Sequence, residues 1–471
     1  MKVTFIYPAI ALSGFNDPPK DMSMRNIHHG LCYLSACAKR AGFATELIDL
    51  SILSGWDDLR DKLRKEPVEI AAVSIMSPDY PYAVRAARII KECCPSAVVI
   101  AGGIHPTIAP DELSANPDFD YIVRCEGEEA FVSLLQKLSA GARAERVITG
   151  RSVPMDSLPF IDRHLFNCLE YPWDFFLPMP FFTIMAGRGC SYNCKFCAPA
   201  TKTVHGKGSR RRSVANFLAE LKSLQDEYGM RSFMLNDDCF TEEKKWVAEF
   251  CDAYKAAGFR QKFICQTRAD IICKNPDMIR RLAKIGLKLV MIGFESGNDR
   301  VLKFINKGVT LKQNLEAARI CRANGIRIFA NYMLGLPTET KEEAMDTIRM
   351  IKKIRPYRAS AAFFTPMPGS YLYDYCKDNG MILIGDHDNA VRLPEDDKPK
   401  IKGADYEYLK RCVRETRKPT LETRFIARLD RIFSNRTNRH FIKLFRRVER
   451  EHPEMHRVDI LRLIHKEKIH A

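Results

Sequence analysis

Cys190, Cys194 and Cys197 stand at C-x3-C-x2-C spacing, just after the apolar run 181–185. Three thiolates are one ligand short of a closed tetrahedral site. An iron–sulfur cubane held by only three cysteines leaves one iron open to a non-protein ligand, which is what a reactive metal centre needs. The same residues also allow two blander readings, a zinc knuckle or unpaired buried thiols. A structural zinc site normally closes with a fourth Cys or His at short spacing, and the nearest downstream candidate, His205, is not at a finger-like distance.

Charged and flexible residues recur further along, each directly after an apolar run. Asp237 and Asp238 follow 232–235, Arg268 follows 263–266, Glu295 follows 289–293, and Gly335, Pro337 and Glu339 follow 328–334. Charges gathered at buried strand ends are costly unless a ligand or one another pairs them. Tyr192, Tyr332 and Cys239 fall near the same ends and could donate a hydrogen atom or simply pack.

The elements that must position these residues are strands alternating with helices. Six strands (181–185, 232–235, 263–266, 289–293, 328–334, 360–365) interleave with helices near 214–228, 242–257, 276–285, 311–323 and 341–353. This pattern predicts a partial (β/α)6 barrel, whose chemistry collects at the C-terminal strand ends. The N-terminal third has shorter units, with strands at 3–7, 46–50, 70–76, 97–101 and 121–123. Their continuous apolarity predicts parallel strands covered on both faces, in a flavodoxin-like (Rossmann-like) doubly wound domain. Pro8, Ser77, Gly102, Gly103, His105, Glu126 and Gly127 lie just beyond those strands, where such a domain binds its ligand. The α/β chain divides into a doubly wound domain at 1–145, a Pro- and aromatic-rich linker at 146–180, the barrel at 181–380 and a basic helical extension at 381–471.

Phe196 before the last cysteine, and Gly187-Arg188-Gly189 before the first, complete a motif that resembles the radical S-adenosylmethionine (SAM) enzymes. That resemblance implies a [4Fe-4S] cluster on Cys190, Cys194 and Cys197, with the amino and carboxylate groups of SAM on the open iron. Reductive cleavage of SAM then gives a 5'-deoxyadenosyl radical that abstracts hydrogen from an unactivated carbon. By position, Asp237 and Asp238 would accept hydrogen bonds from the methionyl amine. Arg268 and Glu295 would meet the ribose and carboxylate, and backbone at Gly335 to Pro337 would meet adenine, with Phe196 packed beside the cofactor. The runs 101–107 and 124–129 resemble the cobalamin-binding domain that precedes the barrel in one branch of the superfamily, which contains carbon methyltransferases, an anaerobic porphyrin cyclase and lipid-modifying enzymes. The resemblance spans 1–375 and implies that Pro8, Ser77, Gly102, Gly103, His105, Glu126 and Gly127 contact cobalamin, with His28 and His29 as further polar contacts. Two features depart from the branch. The D-x-H-x-x-G motif for a lower cobalt ligand is absent, and Cys125 stands where the branch usually has glycine.

The resemblance implies methylation or rearrangement of an unactivated carbon in a hydrophobic lipid or natural-product substrate. The electron would come from a reductase, flavodoxin or ferredoxin. A cobalamin-free cyclase or carbon–carbon coupling enzyme is the second reading, and a non-catalytic corrin- or SAM-binding regulator the third. An RNA methylthiotransferase would need further cluster cysteines and an RNA-binding barrel, and neither is evident. Sixteen cysteines behind an N-terminus that enters a strand directly point to a reducing cytoplasm. Over half of the +16 net charge lies in 401–471. There, helices expected at 406–418 and 421–433, and a further basic stretch around Phe441 and Phe445, mix apolar and basic residues. Such helices can pack on the barrel, touch an anionic membrane surface or, less readily here, meet nucleic acid.

Overall fold

The computed structural model describes residues 1–11, 14–15, 26–170, 177–197, 208–385, 387, 398–417 and 438–469. It divides into two compact units, Met1–Leu169 with Gly385 and His387, and Glu170 onward.

The first unit holds a six-stranded parallel sheet: β1 (Lys2–Tyr7), β2 (Ala44–Asp49), β3 (Ile70–Ser74), β4 (Val98–Gly102), β5 (Tyr121–Arg124) and β6 (Val147–Thr149). Their order is β2-β1-β3-β4-β5-β6, the doubly wound arrangement, with the reversal of direction between β1 and β3. α1 (His29–Arg40), α2 (Trp56–Lys65), α3 (Tyr80–Cys93), two short helices α4 (Ile104–Ile108) and α5 (Pro110–Ser114), and α6 (Glu128–Ser139) make the crossovers. Leu59, Ala83, Ala87 and Ile90 from α2 and α3 bury against Ile6, Val73 and Val99 of the sheet. The sequence reading closes this domain at 145, but the structure carries it to Leu169. The cause is β6, three residues long and too short to register as an apolar run, which pairs with β5. Behind it Gly150 lies so close to the Glu126 carbonyl that a Cβ would stand 1.7 Å from that oxygen.

The second unit builds a parallel sheet from β7 (Phe181–Ile184), β8 (Ser232–Leu235), β9 (Lys262–Thr267), β10 (Leu287–Glu295), β11 (Arg327–Leu334) and β12 (Arg358–Phe363), neighbours in chain order from edge to edge. This is the expected partial barrel. Its helices are α7 (Val214–Tyr228), α8 (Lys244–Ala256), α9 (Ala269–Lys274), α10 (Pro276–Ile285), α11 (Asp299–Phe304), α12 (Leu311–Ala323), α13 (Lys341–Ile354), α14 (Tyr371–Asp378), α15 (Tyr406–Arg417) and α16 (Arg457–Ile469). Local chemistry sets the boundaries. Thr310 with Gln313, and Thr340 with Glu343, form capping boxes that start α12 and α13. Gly229 in the left-handed region stops α7.

Alternate residues of these strands face opposite ways. One face carries Phe233 and Phe263 against Phe250 and Tyr254. On the other, Phe181, Met234, Ile264, Leu289, Met291 and Phe329 close a single cluster toward the N-terminal half. Two residues further along the same rows, Gln266, Gly293, Asn331 and Ser360 are only partly covered. The concave face therefore changes from dry and apolar to polar and accessible toward the C-terminal strand ends.

The basic C-terminal region packs. Phe441, Phe445 and Val448 of the helical residues 438–451 are buried, as are Val458, Leu461 and Ile464 of α16. Asn438 anchors the segment by donating to the Leu177 carbonyl at 3.0 Å and accepting from the Met179 N–H at 3.1 Å. Arg462 on α16 reaches Glu227 at 2.6 Å and lies 5.0 Å above the Tyr228 ring. Phe441 and Phe445 are thus covered by protein. The helix expected at 421–433 lies outside the described residues. Among the described residues no helix is long and apolar enough to cross a membrane.

Candidate active site

Cys190, Cys194 and Cys197 follow β7 in a loop that a two-residue antiparallel ribbon, Gly187–Arg188 with Arg210–Arg211, holds at its base. All three are free thiols. Desolvation pushes the Cys197 thiol up to about 11, with Cys194, Asp238 and Cys190 adding their negative charge, and raises Cys190 in the same way. Thiols that disfavour one another's ionisation need a cation among them to become thiolates. Such a set suits a metal cluster and is poorly satisfied by packing alone.

Arg268 braces the loop. Its Nη1 donates to the Cys194 sulfur at 3.5 Å, its Nε to Asp270 at 2.9 Å and its Nη2 to the Lys307 carbonyl, while the guanidinium lies 3.5 Å from the Tyr192 ring centroid. Tyr192 in turn donates to Asp270 at 3.4 Å. Backbone contacts complete the support: Lys195 N–H to Ile305 O at 2.9 Å, Leu372 N–H to Lys195 O at 3.1 Å, and Ser191 N–H to Glu242 at 3.2 Å. Lys195 also caps the Tyr371 ring at 4.5 Å. Its Nη1 thus holds Cys194 directly while Nε and Nη2 hold Asp270 and the Lys307 carbonyl, so in this structure Arg268 positions the cysteine loop.

The paired aspartates separate into two roles. Asp237 is buried, accepting from Ala186 N–H at 2.8 Å and from Arg211 at 3.1 Å. Burial raises its carboxyl to about 6. It ties β8 to the ribbon. Asp238 is exposed and close enough to the thiols to raise both Cys190 and Cys197.

Glu295 ends β10 with φ +63, a left-handed conformation unusual for a non-glycine residue, at a register shift against β11. Its Oε1 accepts from Lys307 at 2.9 Å within a buried pair. The carboxylate folds back over Gly293, where a Cβ would lie 2.1 Å from it. Lys307 Nζ also lies 5.7 Å from the Phe196 ring, which brings Phe196 and Glu295 to one neighbourhood. Gly335, with φ +73, and Leu336 both direct their N–H groups to Glu339 Oε2, at 2.6 and 3.3 Å. Glu339 thus takes up both of these N–H groups, and its own N–H donates to the Leu336 carbonyl at 3.0 Å. Burial raises Glu339 to about 7. Arg211 and Lys307 escaped the sequence reading because they act across the fold, on Asp237 and Phe196. Lys307 follows a short helix, and nothing near it in sequence marks it.

In the first unit, Pro8, Ser77, Gly102–Gly103 and Glu126–Gly127 follow the adjacent strands β1, β3, β4 and β5, so the topology places them along one carboxyl edge. At Gly102 only the Val123 carbonyl lies within 4 Å of an added Cβ, which leaves the edge open there. Gly103, at φ +107, is instead pressed on the Ile75 carbonyl, 2.9 Å from the Cβ position. Short side chains and an open edge fit a flat macrocycle. His28 and His105 each have one ring nitrogen engaged within the protein. His28 caps α1 through Nδ1 and Leu31 N–H at 3.1 Å, and burial lowers it to about 4. His105 is buried beside Ser77, 3.3 Å away, under the Tyr80 ring. Cys125 has φ +63, a left-handed conformation that glycine adopts without strain.

Residues 184–351 match the family model described as the radical SAM superfamily, and residues 25–135 the model described as the B12 binding domain. An uncharacterised methyltransferase of Pyrococcus horikoshii is 28% identical over 75% of this chain and 79% of its own length. An anaerobic magnesium-protoporphyrin IX monomethyl ester cyclase of Cereibacter sphaeroides is 28% identical over 74% of this chain and 60% of its own. Among solved structures, the radical SAM methyltransferase TsrM from Kitasatospora setae superposes with a TM-score of 0.61 at 16% identity, covering 80% of this chain and 76% of that one, a likeness of fold.

Proposed function

Because this chain is a radical SAM protein with an N-terminal B12-binding domain, we propose that it transfers a methyl group to an unactivated carbon of a hydrophobic small molecule. When bound, the [4Fe-4S] cluster supplies the electron that cleaves SAM and cobalamin carries the methyl group. The single observation that carries the reading is the three-cysteine loop, braced by Arg268 at the C-terminal end of the barrel. Cys190, Cys194 and Cys197 would hold the cluster, Asp238 would accept from the SAM amine, and the Glu295–Lys307 pair with Phe196 would line the cofactor's flank. The carboxyl edge from Pro8 to Gly127 would hold the corrin. Met333 and Ala362, partly covered on the concave face beside Asn331 and Ser360, support a substrate with apolar surface and a few polar handles.

Similarity to the porphyrin cyclase favours a second reading, hydrogen abstraction followed by ring closure. Anaerobically reconstituted protein with hydroxocobalamin, a reductant and methyl-labelled SAM separates the two. Methyl transfer predicts both S-adenosylhomocysteine and 5'-deoxyadenosine, with label leaving SAM, whereas cyclisation predicts 5'-deoxyadenosine alone. Cys197→Ala should lose the cluster spectrum and all SAM cleavage. Persistent cleavage in that variant would overturn the assignment.

A further inference from the structure

We infer that His105, Glu112 and His387 form a binding site for one divalent transition-metal ion of the zinc type, separate from both cofactors. The three belong to the first unit: His105 on α4, Glu112 on α5, and His387 where the chain returns to that unit. One ligand atom from each lies within 4.8 Å of the others. His387 Nε2 stands 2.7 Å from Glu112 Oε1, and His105 Nε2 stands 3.2 Å from Glu112 Oε2, so two imidazoles converge on the two oxygens of one carboxylate.

Donor and acceptor roles call for a positive charge between these groups, either a metal ion or a proton on His387. His387 Nδ1 lies 3.2 Å from the Ser77 carbonyl, which can only accept, so the ring proton belongs on Nδ1. A neutral His387 then turns the lone pair of Nε2 onto a carboxylate oxygen at 2.7 Å, an acceptor facing an acceptor. His105 Nε2 is buried and has no aligned hydrogen-bond partner, while its Nδ1 meets the Ser77 hydroxyl at 3.3 Å. Ser77 thus fixes the outer nitrogen of both rings, the support that metal-ligating histidines usually have. Tyr80 walls the site, its ring 4.6 Å from each imidazole. Tetrahedral zinc at ordinary bond lengths separates its ligands by about 3.3 Å, within the spread seen. Two imidazoles and a carboxylate suit zinc, with a fourth position left for water.

The cobalt of a corrin takes at most one protein ligand on each face, so three converging ligands do not serve it. On this inference His105 leaves the set of cobalamin contacts. The ion would close a loop of 275 residues between Glu112 and His387, holding the returning segment to α4 and α5.

The experiment uses full-length protein with its cluster assembled, so that Cys190, Cys194 and Cys197 are occupied. After chelator treatment it is titrated with Zn2+ and desalted, and zinc per chain is counted. We expect one retained equivalent whose X-ray absorption shows a nitrogen and oxygen shell without sulfur. His387→Ala and Glu112→Gln should each weaken binding at least about tenfold. Glu112→Gln preserves hydrogen-bonding capacity, so it separates metal binding from a proton-bridged clamp. No retained zinc, a sulfur shell, or unchanged affinity in both variants would overturn the proposal.

Discussion

Arg268 holds the cysteine loop with three hydrogen bonds and a stacked ring, a combination that depends on a planar fork and that lysine cannot reproduce. We therefore predict that Arg268→Lys folds but loses iron about tenfold faster than wild type, measured as iron per chain during anaerobic incubation with a chelator. At Cys125 the backbone sits at φ +63, so Cys125→Val should cost about 1–2 kcal/mol by chemical denaturation, whereas Cys125→Gly should be neutral or stabilising. The three cysteines were legible from spacing alone, because ligation demands a fixed residue type at a fixed interval. Asp237 and Asp238 were not separable in that way. Adjacent strand-end residues face opposite directions, and only the fold shows that Arg211 captures one of them and leaves the other beside the thiols.

The turn after β11 is an element with a built-in pH response. The folded-state pKa of Glu339, about 7, lies above its ordinary value of 4.5, so the folded protein binds that proton more tightly than the unfolded chain. Its ionisation therefore costs stability progressively from about pH 4.5 to 7, by up to about 3 kcal/mol. Glu339→Gln should accordingly be more stable than wild type above pH 7, with the advantage vanishing below pH 4.5, as read from paired melting curves. In the helical residues 438–451, Phe445 is buried. Phe445→Ala should destabilise by about 3 kcal/mol and leave any sedimentation with anionic vesicles unchanged. Strands β7 to β12 were legible as apolar runs recurring at regular intervals between helical stretches, and helices α7, α10 and α12 because they run for ten residues or more. β6, α9 and α11 were not, since three to six residues carry too little periodicity.

Across the whole molecule, the chain forms two compact units, and on the proposed reading cobalamin belongs to the first and the cluster and SAM to the second, so ligand effects should divide between them. Hydroxocobalamin at about a hundredfold over its Kd should stabilise the first unit by about 2.7 kcal/mol, visible in calorimetry as a rise in one transition while the other holds. If both shift together, the units unfold as one. The order of the strands in the second sheet has a further consequence, for synthesis. From β7 to β12 each new strand pairs with the one made just before it, so the sheet can lengthen at a single edge as the chain leaves the ribosome, with little loop entropy to overcome at any step. The exception comes last. Arg462 on α16 pairs with Glu227 on α7 across 235 residues, so this side of the first barrel helix waits uncovered until α16 has emerged. A nascent chain stalled before α16 should therefore expose that α7 surface and bind a chaperone there, and one that has α16 in place should not.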